Sequence, residues 1–135
     1  MKSTILMTLT ILLISMKTFS HGENMFGPHQ GYIRMPGAFH VELVPKKDDI
    51  FFIYLMDVNN KNPVTKDSSV DFTYKFNNKS SAFSCTTMHD HFVCTKPGQL
   101  NFKVGQLLIK ASRLGKPGGF AIYQLPLMLT GKKIK

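Results

Sequence analysis

The chain has 135 residues, 43% of them hydrophobic, and carries 17 lysines and arginines against 8 acidic residues, a formal charge of +9. That length suits one domain and is short for two. The charge does not argue for nucleic acid: the lysines are spread along the chain and arginine occurs only at Arg34 and Arg113, so the surplus reads as a solvated surface that also favours anionic envelope surfaces.

Residues 1–20 read as a signal peptide. Lys2 supplies the charged start, Ile5 to Ile14 the apolar core, and Thr18-Phe19-Ser20 the small-residue cleavage pattern. An apolar stretch of roughly ten residues suits a signal and is short for a membrane span, which needs about 20. Cleavage after Ser20 makes His21 the first mature residue and leaves fifteen basic and eight acidic residues, a formal +7. No later stretch is apolar for long enough to cross a bilayer, so a periplasmic or secreted product is expected.

Residues 21–38 form a Gly/Pro/His-rich arm, with Gly27-Pro28-His29-Gln30-Gly31 at its centre and a short strand at Tyr32–Met35. From Phe39 the pattern has period two: Phe39, Val41 and Leu43 point one way, His40 and Glu42 the other. Ile50 to Val58 is nearly all apolar and reads as a strand covered on both faces. Asn59 to Ser69 is turn chemistry, and Val70, Phe72, Tyr74 and Phe76 then alternate as a half-buried strand. Asn77-Asn78-Lys79-Ser80 turns the chain into a cysteine segment, 81–95. Further strands are expected at Leu100–Lys103, Gln106–Ser112 and Phe120–Leu129, with a loop at Gly115 to Gly119. Residues 131–135 form a basic tail. Seven or eight short strands and no convincing helix predict an all-β domain over 39–130, an immunoglobulin-like antiparallel β-sandwich, with a small β-barrel as the alternative.

Cys85 and Cys94 are the only cysteines, and export predicts that they form a disulfide. In a hairpin that turns at His89-Asp90, Cys85 faces Cys94, Thr87 faces Phe92 and Met88 faces His91. The cysteines, Thr87 and Phe92 then share one face, and Met88 and His91 the other. A looser four-residue loop is also open, because His-Asp makes a poor type I′ turn.

Either geometry gathers Met88, His89, Asp90 and His91 at an exposed tip, a thioether, two imidazoles and a carboxylate that suit copper. His21 would add an α-amine beside its own imidazole. The arm, about 18 residues at up to about 3.3–3.6 Å each, can fold back so that His21 reaches His40 on its strand. Glu42, on the same strand face, is placed to orient an imidazole or to bind directly.

Gly27-Pro28-His29-Gln30-Gly31, Phe39-His40-Val41-Glu42-Leu43-Val44 and Ile53-Tyr54-Leu55-Met56-Asp57 together resemble a Gly-Pro-His-Gly-Gly…His-x-Glu-Leu-Val…Tyr-Leu-x-Asp pattern of exported β domains associated with heavy-metal efflux systems. The resemblance covers residues 27–57, departs at Gln30, where the pattern has glycine, and implies that His29 and His40 are metal-associated. A weaker resemblance is to periplasmic copper-resistance β-sandwiches, which also begin with a mature histidine and gather Asp and His on a loop.

The sequence therefore points to an exported copper carrier or buffer, or an accessory to metal efflux, with zinc or nickel as alternative metals. Its expected partners are the metal ion and an efflux-system or envelope protein. The competing reading is a non-metal interaction module that docks through a sheet edge. Catalysis is not expected, since neither a Gly-x-Ser-x-Gly nor a His-Glu-x-x-His motif occurs.

Overall fold

The structure, a computed structural model, describes residues 26–96 and 98–128. The expected signal peptide, His21 and the expected basic tail lie outside these residues. Among the described residues nine strands form: β1 (Tyr32–Arg34), β2 (His40–Pro45), β3 (Ile50–Met56), β4 (Ser69–Phe76), β5 (Lys79–Ala82), β6 (Ser84–Thr87), β7 (Phe92–Thr95), β8 (Gln106–Arg113) and β9 (Lys116–Gln124).

They build two antiparallel sheets, β1-β2-β3-β7-β6 and β5-β4-β8-β9, which do not close into a barrel. With β1 set aside, the orders β2-β3-β7-β6 and β5-β4-β8-β9 reproduce the A-B-E-D and C′-C-F-G sheets of an immunoglobulin-like sandwich. The alternating strands explain the core. Val41, Leu43, Phe51, Ile53 and Leu55 of the first sheet meet Phe72, Tyr74, Leu107, Ile109 and Tyr123 of the second, all buried. An aromatic cluster locks them together: Phe72 stacks on Phe83 with centroids 3.9 Å apart, and Phe51 meets both edge-on. Such pairs add about 0.5–1.5 kcal/mol each beyond the area they bury.

The cysteine hairpin has the expected register. Cys85 pairs with Cys94 and Thr87 with Phe92, and the disulfide joins two strands of one sheet rather than bridging the sheets. The Cα atoms are 4.1 Å apart, the close spacing of a non-hydrogen-bonded antiparallel pair. The amide of Met88 donates to the carbonyl of His91, closing the turn, and neither His89 nor Asp90 takes a positive φ, so the turn is not type I′.

Three expectations about elements need correction. Leu100–Lys103 is not a strand. Leu100 and Phe102 pack against the core from a loop whose carbonyls at Asn101 and Val104 accept the Tyr74 hydroxyl, so alternation there records burial rather than strand pairing. The missing strand is β5, which follows a two-residue turn at Asn77 (φ 50) and Asn78 (φ 59), the backbone of a tight hairpin. Residues 116–119 are not a loop either: Leu114 (φ 50) and Gly115 (φ 75) make a second such turn, and β9 starts at once at Lys116.

Candidate functional site

The site lies on the outer face of the first sheet, away from the core. Register places His40, Glu42 and Val44 of β2 opposite Met56, Tyr54 and Phe52 of β3 on that face. His40 and Glu42, expected on a solvated strand face, are instead buried, with 3% and 0% exposure.

The cover over Glu42 is the Gly27–Gly31 loop, which sits on the sheet instead of extending as a free arm. Pro28 presets a turn closed by the Gln30 amide on the Gly27 carbonyl, and the Gly27 amide donates to the Gly31 carbonyl. The Glu42 carboxylate fills the loop. Its Oε1 accepts the amides of His29 and Gly31, both at 2.9 Å, and its Oε2 accepts His29 Nδ1 at 2.7 Å. A buried carboxylate is tolerated because three N–H groups meet it. The glycines are required by the close approach: a Cβ at Gly27 would stand 2.3 Å from Glu42 Cδ, and one at Gly31 would stand 2.6 Å from the Leu43 carbonyl oxygen. Gln30 takes φ 64 where the resembling pattern has glycine, so this chain holds a left-handed residue at that corner.

The clasp sets the imidazole of His29 flat on Tyr54, with centroids 3.6 Å apart and planes 4° apart. The hairpin tip brings a second imidazole to the same phenol. His91 lies 5.1 Å from Tyr54 and 4.6 Å from Phe52, and its Nδ1 meets Asp90 Oδ1 at 2.6 Å. The Thr65 hydroxyl fixes the tip by donating to the carbonyls of Met88 and His89. Hydrogen bonding from His91 holds the Asp90 carboxyl below the usual carboxylate range. Burial, then the charges of Asp90 and Glu42, push the Tyr54 phenol up, so it stays protonated at neutral pH.

His40 is held the same way at the other end of β2: its Nδ1 meets Asn60 Oδ1 at 2.6 Å. A carboxylate or amide oxygen only accepts, so in all three pairs Nδ1 carries the proton and Nε2 of the neutral ring carries the lone pair. Among the described residues His40 Nε2 is buried with no hydrogen-bond partner. This arrangement fits a metal, because a metal-bound imidazole almost always donates its other N–H to a carboxylate or carbonyl-type acceptor. Yet no three side chains of His, Cys, Asp or Glu converge among the described residues. His29 and His91 are brought together through Tyr54, His40 stands apart on the strand, and Met88 and His89 project from the tip, exposed.

Tyr54, Met56 and Asn60 were not singled out as site residues by sequence. Tyr54 and Met56 sat in the resembling Ile53–Asp57 run, where period two from Glu42 and His40 could have put them on the same face. Asn60 carried no signal beyond turn chemistry. No family model, curated protein or solved structure matches this chain. No helix among the described residues is long and apolar enough to cross a membrane.

Proposed function

We propose that the protein is an exported transition-metal binder, with copper as its preferred ion, and that His29 and His91 are its surface ligands. One observation carries the reading: on this face the imidazoles of His29, His40 and His91 are each pinned through Nδ1 by a side-chain oxygen, which leaves Nε2 of the neutral ring as the donor. Nitrogen donors favour Cu(II) over its divalent neighbours, zinc and nickel included. Few protein ligands suit a carrier that must release its cargo, with Met88, His89 and the mature His21 amine as further donors. The Cys85–Cys94 disulfide and the signal-like N-terminus support a periplasmic or secreted setting. An efflux or envelope protein is the natural recipient of the ion.

The test is a Cu(II) titration of the mature chain followed by electron paramagnetic resonance. Replacing His29 and His91 together by Ala should weaken binding at least tenfold, about 1.4 kcal/mol, and remove nitrogen hyperfine structure. Unchanged affinity rejects the assignment.

A second reading, docking through a sheet edge without metal, is favoured by Phe120 and Ile122, which stand 57% and 43% exposed on the edge strand β9. Lysine at both positions would abolish such docking and leave copper binding intact.

A further inference from the structure

The face that carries His29 and His91 also holds a buried pair which the Cu(II) reading does not use. His40 Nε2 is buried and has no hydrogen-bond partner among the described residues, a condition that is costly for a buried polar atom. Its register partner across the sheet is Met56, which is fully buried on the same face. A thioether is only a weak acceptor and has no proton to offer, so Met56 cannot satisfy the ring.

Two residues with lone-pair donors are therefore cross-strand partners on one face, in apolar company: Met56 clusters with Val44 and Tyr54, and Phe52 packs against them. Glu42, the acid next along this face of β2, is already engaged by His29 and Gly31. What such a pair lacks is a soft cation of low charge and low coordination number. Zinc is a poor fit, since it draws four ligands in a tetrahedron. Cu(I) fits, because thioether donors select it and it accepts two ligands.

We infer that His40 Nε2 and Met56 Sδ form a second metal site, selective for Cu(I) and separate from the surface imidazoles. The inference rests on the reading of the chain as a copper binder and gives it a division of labour by oxidation state. Asn60 is the positioning residue, because it fixes the proton on Nδ1. Its loop also guards the site. Asp57 ties that loop by accepting the amides of Asn59 and Lys61 and the Asn62 side-chain amide. Loading must wait for the loop to open, so Cu(I) should bind and leave more slowly than Cu(II).

The experiment is an anaerobic Cu(I) competition of the mature chain against the chromogenic chelator bicinchoninate, run beside the Cu(II) titration. Met56→Leu keeps the volume and removes the thioether. It should weaken Cu(I) at least tenfold and leave Cu(II) within twofold, whereas the double His29→Ala, His91→Ala variant should do the reverse. On the wild-type chain, methyl-labelled methionine spectra should show Met56 shifting with Cu(I), and X-ray absorption should show a sulfur neighbour. If Cu(II) binds as proposed while Met56 stays unmoved by Cu(I), or Met88 alone shifts, this site is wrong and the carrier reading stands. If neither oxidation state binds, the copper reading itself falls.

Discussion

The two sheets treat their outer faces in opposite ways. On the second sheet the outward positions Thr73, Lys75, Leu108, Lys110, Phe120 and Ile122 remain exposed or half-buried. On the first, His40, Glu42, Val44, Tyr54 and Met56 are buried on the side away from the core. The strands are alike in period, and what differs is the segment laid on top. Gly27–Gly31 clasps Glu42, the Asp57–Asn62 loop reaches His40 through Asn60, and the hairpin tip brings His91 to Tyr54. A covered outer face lets polar groups be held in fixed orientations, which is what a binding site requires.

The two outer faces should differ most at Glu42. Replacing it with Ala strands the His29 and Gly31 amides and the His29 ring, and should cost about 3 kcal/mol in urea unfolding of the metal-free protein. Thr73→Ala, at an outward position of the second sheet, should stay within about 0.5 kcal/mol. Equal effects would mean that the covered face is not special. Removing the disulfide with Cys85→Ser and Cys94→Ser should cost roughly 2.5 kcal/mol by chain entropy for a loop of about ten residues, and should loosen His91 at the hairpin tip. Hydrogen exchange at Met88 would register that loosening.

Gly31→Ala drives a methyl into the Leu43 carbonyl and Val44, and should cost about 1–3 kcal/mol, visible as a lower urea midpoint. Gln30→Gly relieves a left-handed residue and should stabilise by up to about 1 kcal/mol, because relief of the strain exceeds the added freedom of the unfolded chain. The smallest effect is acidic. Asp90 is held low chiefly by the His91 hydrogen bond, so its contribution is fully present above the unfolded carboxylate value near 3.9 and is lost as pH falls through the lower folded value. Asp90→Asn should therefore match the wild type at the acid end and fall below it at neutral pH.

Period two was enough to find the inward face of most strands, and hairpin arithmetic found the disulfide register residue by residue. Both are local: a strand's side chains alternate, and a clipped turn fixes its pairs. The covered face was not legible because burial there depends on which distant segment lands on it. Nothing in His40 or Glu42 distinguishes a solvated pair from one covered by the Asn60 loop and by residues 27–31. The glycines of Gly27–Gly31 and the distant Glu42 are the two halves of one clasp, a pairing that no local period records. Leu100 and Phe102 misled for the converse reason, since a loop can bury alternate side chains without pairing its backbone.

The proposed metal binding requires that His29, His40 and His91 each hold the proton on Nδ1 and keep Nε2 for an ion. Long-range ¹H–¹⁵N correlation spectra of the metal-free mature protein, recorded at a pH where the rings are neutral, read the tautomer of each ring directly. The Nδ1–H form is expected for these three, with a shift confined to Nε2 of His29 and His91 when a diamagnetic divalent ion such as zinc is added. Finding the Nε2–H form at His29 and His91, or a metal-induced change at their Nδ1 atoms, would contradict it.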